Sequence, residues 1–152
     1  MECDVKAAIP HRPPFLLVDE ILELRPDRIT ARTTLRPDDE LWSRIYAGHY
    51  PGMPITPGAL LLETLFQTAG VLIAKLVRGD VPAAGVPVVT RINNVKFKRM
   101  VLPGDTIELR VRITERLASA YYLKGEILKG GKPAVHAEFA LTIAGVPGSG
   151  GA

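Results

Sequence analysis

The sequence predicts an α+β domain in which an antiparallel sheet wraps one long central helix. Three observations carry this. One helical run, residues 57 to 78, is apolar on almost every side, so other elements must surround it. Two strand-like stretches precede it, and several stretches of alternating polar and apolar residues follow it. The chain has 152 residues, enough for one sizeable core, and no repeat or linker divides it. The domain is placed at residues 1–144, and the Gly-rich "GVPGSGGA", 145–152, reads as a disordered tail.

The elements follow in order. "FLLVDEILEL", 15 to 24, reads as the first strand, Pro26-Asp27 as a turn, and "RITARTTL", 28 to 35, as its hairpin partner. "RPDDELWSRIYAGHYPGMP", 36 to 54, reads as a long connection punctuated by Pro and Gly. A loop of that length in a compact domain is often functional. Its Trp42, Tyr46 and Tyr50 are expected to pack or to line an apolar pocket. Thr56 is placed as the N-cap of the helix, Pro57 at its first position and Gly79 at its close.

That helix is also long enough to raise a membrane span. Glu63, Gln67 and Lys75 interrupt it, and a helix wrapped by a sheet accounts for the same pattern. Beyond it, residues 86 to 102 form a strand region. "TIELRVRIT", 106 to 114, puts Ile107, Leu109, Val111 and Ile113 on one face and Glu108, Arg110 and Arg112 on the other. "AYYLKGEILK" and "AVHAEFALTI" alternate too, joined by the turn signal Gly130-Gly131, and Pro103-Gly104-Asp105 marks another turn.

Composition excludes several classes. Apolar residues make up 47% and charged residues 23%, the balance of a globular domain. A lone Cys3 makes no intramolecular disulfide, and with three histidines the chain does not add up to a Cys/His metal centre. A reducing, cytoplasmic setting fits, and "MECDVKAAIPHRPP" lacks the apolar core of a signal peptide. The net charge of +3, from 19 basic and 16 acidic residues, is too small and too spread out for nucleic acid, yet it permits a local basic patch.

The chemistry concentrates in "AGHYPGMPITPGALLLETLFQ", 47 to 67. Glu63 and Gln67 are one turn apart and form a narrow polar stripe on an otherwise apolar helix. A buried carboxylate needs a partner: a base, a water, a ligand or a neighbouring subunit. His49 precedes the helix by the stiff loop "YPGMPIT" and is the natural candidate. A histidine and a carboxylate facing one cavity suit proton transfer. The N–H of Gly58 lies at the helix start, unpaired and along the dipole, where it can hold a developing oxyanion. A blander account stands beside this one: a hydrogen-bonded core histidine, a solvent-facing glutamate and a glycine kept for packing. His11 and His136 are assigned as structural or surface histidines.

"IPHRPPFLLVDEI", "GHYPGMPITPGALLLETLFQTAG" and "VKFKRMVLPGD" resemble, in that order, three signature segments of the (3R)-hydroxyacyl-acyl carrier protein dehydratases. These are the hotdog-fold dehydratases of bacterial type II fatty acid synthesis. The likeness runs from about residue 5 to 143, and the middle segment is the specific one. It implies a single hotdog domain, a homodimer, and commonly a hexamer built as a trimer of dimers. It implies His49 as general base from one chain, Glu63 as acid from the other, Gly58 as oxyanion donor and Gln67 as a supporting residue. It implies a substrate carried on the phosphopantetheine of acyl carrier protein, with no metal or redox cofactor.

Glu63 rather than Asp favours the branch that dehydrates without isomerising. Met53, Thr56, Leu65 and Phe66 depart from the family's usual residues and bear on pocket shape. Carrier proteins are acidic, so Lys96, Lys98 and Arg99 of "KFKR" are candidate carrier-binding residues, with Lys96 and Lys98 on one strand face. An ordinary solvated edge explains the same charges. Rival readings are a hotdog thioesterase, an acyl-binding scaffold, and a dehydratase of a polyketide or specialised-lipid pathway.

Overall fold

The computed structural model describes residues 3–77 and 85–145. Nine elements run in order: α1 (Val5–Ala8), β1 (Glu20–Leu24), β2 (Arg28–Thr34), α2 (Glu40–Gly48), α3 (Gly58–Leu76), β3 (Gly85–Phe97), β4 (Thr106–Leu117), β5 (Ala120–Lys129) and β6 (Lys132–Gly145). The strands form one antiparallel six-stranded sheet in the order β1-β2-β4-β5-β6-β3. After α3 the chain lands on the far edge, as β3, and then returns to set β4 beside β2.

The sheet closes around α3, which packs against β2, β3, β4 and β5. The period of two seen in β4 holds: Ile107, Leu109 and Val111 are buried while Arg110 and Arg112 are exposed. Tyr121, Leu123 and Ile127 of β5, and Val135, Ala137, Phe139 and Leu141 of β6, supply the same inner face. Opposite them α3 buries Leu61, Leu65, Ala69, Leu72 and Ile73. Each fully buried Leu or Ile contributes about 1.5–3 kcal/mol. Gly125 brings the sheet onto the helix, since a Cβ there would lie 3.0 Å from both Leu65 and Phe139.

The expected turn between β5 and β6 is present. Gly130 and Gly131 both have positive φ, 57° and 76°, which a two-residue hairpin turn of this hand requires.

Several boundaries differ from the sequence reading: β3 stops at Phe97 rather than 102, β4 runs on to Leu117, and β6 takes in Gly145, the first residue of the expected tail. The first strand begins at Glu20, not at residue 15; residues 15–19 are an extended segment that buries Leu17 and Val18. The connection 36–54 holds a helix, α2, because Trp42 and Tyr46 one turn apart bury together and stack with centroids 5.7 Å apart. Tyr50 stays exposed. Thr56 does not cap α3: Pro57 occupies the cap position, and the Thr56 hydroxyl bonds Tyr46 instead. The helix ends at Leu76 with Val77 as its C-cap. The expected stop at Gly79 and the tail from residue 146 onward lie outside the described residues.

Strand β3 is 13 residues long, and its outer edge has no partner strand among the described residues. Val88, Val89, Ile92 and Phe97 along it are exposed.

Candidate active site

His49 caps the C-terminus of α2, its N–H donating to the Ile45 carbonyl at 2.9 Å. Its Nδ1 lies 2.8 Å from the Ile55 carbonyl oxygen. A carbonyl only accepts, so Nδ1 carries the proton and Nε2 keeps its lone pair. The loop that returns to the helix is pinned at several points. Tyr50 takes a left-handed φ of 56°, and its carbonyl accepts the Met53 N–H at 2.8 Å. The Thr56 N–H donates to the Val101 carbonyl, and the Tyr46 and Thr56 hydroxyls share a hydrogen bond, each at 2.8 Å. Burial pushes the Tyr46 hydroxyl above its ordinary pKa; the Thr56 hydrogen bond opposes this, and the charge of Asp105 adds to it.

Gly58 is the first residue of α3, one place earlier than the sequence reading put it. The N–H groups of Leu60 and Leu61 both reach the Pro57 carbonyl, whereas that of Gly58 has no acceptor among the described residues. The Phe97 ring lies against the Gly58 Cα so closely that a Cβ would sit 2.7 Å from it. A surface cavity of about 510 Å³ opens here, lined by Thr56, Gly58, Phe97, Lys98 and Arg99 among others. Two of the three proposed carrier-binding residues therefore border the helix start. Lys96, on β3, is exposed nearby in sequence, but β3 ends at Phe97 and Lys98 lies beyond it. Lys98 therefore lies one residue past the strand, although its N–H still donates to the Ala134 carbonyl of β6 at 2.7 Å.

Glu63 is partly buried on α3, and the expected polar stripe is real: Gln67 Nε2 donates to Glu63 Oε1 at 3.1 Å. Gln67 is 1% exposed and does more than flank the acid. Its Oε1 accepts the Leu17 N–H at 2.8 Å and its Nε2 also donates to the Phe15 carbonyl at 2.9 Å. One side chain thereby ties the segment 15–17 to the helix.

The residue that sequence reasoning missed is His11. Its Nε2 lies 3.7 Å from Glu63 Oε1, and its ring stacks on Phe15 at 6.5 Å. The signal available for it was only its place in "PHRPPF", immediately before the segment that Gln67 holds. His136 sits on the sheet, opposite Glu126 and Lys96, as a surface histidine.

Among the described residues, no hydrogen bond or ion pair joins His49 to Glu63 within the chain. The chain holds a proton acceptor on one loop, and a carboxyl, an amide and a second imidazole on the helix face. It also holds an open backbone donor at the helix start.

A family model described as the FabA-like domain matches residues 9–138. The chain belongs to the FabA-like family. The 3-hydroxyacyl-[acyl-carrier-protein] dehydratase FabZ of Clostridium acetobutylicum is 38% identical over 135 residues, 89% of this chain and 92% of that protein. The FabZ dehydratase of Thermotoga petrophila is 42% identical over 108 residues, 71% of this chain and 72% of that one.

Among solved structures, a chain of the dehydratase heterocomplex ApeI:P from Xenorhabdus doucetiae superposes with a TM-score of 0.79 at 16% identity. The superposition covers 95% of this chain and 93% of the other. A hypothetical thioesterase from Streptococcus pneumoniae, solved with coenzyme A, gives a TM-score of 0.62 at 14% identity, covering 84% and 86%. At such identities the likeness shows the fold alone, and the fold is the hotdog.

Proposed function

We propose that this FabA-like chain is a hydro-lyase of fatty acid biosynthesis in the cytoplasm. It converts a (3R)-3-hydroxyacyl group on acyl carrier protein to the trans-2-enoyl thioester. Family membership and the activity named for the FabZ relatives support the reaction. The observation that carries the mechanism is the 2.8 Å contact between His49 Nδ1 and the Ile55 carbonyl, which leaves Nε2 as a directed proton acceptor.

In this reading the Gly58 N–H polarises the thioester carbonyl and acidifies the C2 proton. His49 Nε2 removes that proton. Glu63 donates a proton to the departing C3 hydroxyl, which leaves as water, and Gln67 fixes the carboxyl. The double bond forms from the C2–H electron pair as the C3–O bond breaks. Carbon undergoes no net oxidation or reduction, so the step needs no redox cofactor.

The site is assembled from two chains, His49 from one and Glu63 from its partner. Two features support this: among the described residues no hydrogen bond or ion pair joins His49 to Glu63, and the apolar outer edge of β3 has no partner strand. Three such dimers make the hexamer the resemblance implies. Acyl carrier protein docks its acidic surface on Lys98 and Arg99 beside the Gly58 cavity, with Lys96 adding to the field.

Incubation with 3-hydroxyacyl-acyl carrier protein, followed by intact mass, tests the reading. The expected result is reversible loss of one water, abolished in His49→Ala and reduced by about 10²-fold or more in Glu63→Gln. Release of the free carrier thiol would establish a thioesterase instead, and near-normal turnover by His49→Ala would remove the base assignment.

A further inference from the structure

We propose that His11 is a positioning residue for Glu63: it relays a proton from solvent to the carboxyl after each elimination, so that Glu63 can protonate the next leaving hydroxyl. The inference rests on the reading of Glu63 as the acid.

The geometry supplies the argument. Both neighbours of Glu63 act on the same oxygen: the Gln67 amide at 3.1 Å and the His11 Nε2 at 3.7 Å reach Oε1. Oε2 has no hydrogen bond among the described residues and is left to face a substrate. A carboxyl that has given its proton to the leaving hydroxyl must take up another, and the part-exposed His11 imidazole offers a route for it from solvent. An imidazole is the side chain that takes and gives a proton near neutrality. At 3.7 Å the contact is longer than a hydrogen bond, and catalytic contacts commonly tighten only with substrate bound.

The other face of His11 makes a packing explanation costly. Nδ1 is buried and has no hydrogen-bond partner among the described residues. A buried polar atom without a partner lowers stability, and a phenyl ring would stack on Phe15 without that penalty. The structure keeps an imidazole where packing alone favours a hydrocarbon, and its other nitrogen points at the acid.

Other charges do not replace His11. Arg12 is the adjacent cation, but its guanidinium donates to the carbonyls of Ile9, His11 and Lys6 at 2.7–2.9 Å. Lys6 and Asp4, at α1, are exposed. On α3 the only other charged residue is Lys75, in the last turn.

The test compares His11→Phe, Glu63→Gln and the double variant. Elimination turnover would be followed against pH with 3-hydroxyacyl-acyl carrier protein. His11→Phe should fold with equal or greater stability, keep KM, and lose about 10- to 100-fold in kcat at neutral pH. The alkaline limb of its pH profile should move, because the imidazole that relays the proton is gone. In the Glu63→Gln background, His11→Phe should cost no further activity. Wild-type-like kcat with an unmoved limb, or equal losses in both backgrounds, would overturn the proposal.

Denaturation midpoints of the same four proteins give a readout that does not depend on the reaction. Stability changes that fail to add support the coupling of His11 with Glu63, and strict additivity overturns it. A wild-type protein that does not eliminate water would sink the functional reading, and the denaturation cycle would still decide on the pair.

Discussion

The Phe97 ring seals the first turn of α3 by lying against Gly58, where a Cβ would stand 2.7 Å from two of its carbons. Gly58→Ala must therefore push the ring aside. Phe97 is 54% exposed and can swing toward solvent, so the fold should survive with a small loss of stability. Catalysis should suffer more, by about 10- to 100-fold in kcat/KM, because the methyl group stands where a thioester carbonyl approaches the Gly58 N–H. Adding Phe97→Ala separates the two effects. Recovery of activity in the double variant would assign the loss to ring crowding and refute the oxyanion role.

Gln67→Leu should be strongly destabilising. It leaves the buried Leu17 N–H and the part-buried Phe15 carbonyl without the partner each has now. Orphaned buried groups cost about 1–3 kcal/mol each, so a loss of about 2–4 kcal/mol is expected from chemical denaturation. Activity should fall in addition, since Glu63 loses the amide that orients it.

Tyr46 sets an alkaline limit on the loop that carries His49. Burial raises its folded pKa, so the unfolded chain releases the hydroxyl proton first, near pH 10. The unfolded state then binds fewer protons than the folded one, and stability falls as pH rises above that point. Tyr46→Phe should lose about 1 kcal/mol at neutral pH with the Thr56 hydrogen bond. It should also flatten the alkaline decline in melting temperature, and an unchanged decline would reject Tyr46 as its source.

Charge reversal at Lys98 and Arg99 tests carrier docking apart from chemistry. The double variant Lys98→Glu, Arg99→Glu should raise KM for the acyl carrier protein substrate and abolish its salt dependence. Turnover of a small, carrier-free 3-hydroxyacyl thioester should stay unchanged. Equal losses on both substrates would place these side chains in the site itself, against the docking role.

Much of the fold was legible because its signals are local. β4 reads from a period of two, the β5–β6 turn from two glycines, and α3 from an unbroken apolar run after Pro57. The α2 helix was hidden because Pro37, Gly48 and Pro51 punctuate the stretch, and turn chemistry was weighed above the Trp42–Tyr46 spacing. The site divided in the same way. The Glu63–Gln67 stripe follows from helical period, whereas no hydrogen bond or ion pair among the described residues brings His49 to Glu63. The approach of His11 to Glu63 is a tertiary contact: the segment after His11 is held by the Gln67 side chain and by burial of Leu17 and Val18, and no local pattern encodes that.

The unpartnered outer edge of β3 has a thermodynamic consequence. Thirteen residues of open backbone, flanked by exposed Val88, Val89 and Ile92, are an unfinished sheet. With a second copy on that edge, folding and association become one equilibrium, governed by mass action. The melting temperature then climbs with protein concentration, and dilution alone weakens the fold. In the proposed two-chain site, dilution also separates His49 from Glu63, so specific activity should decline over the same range.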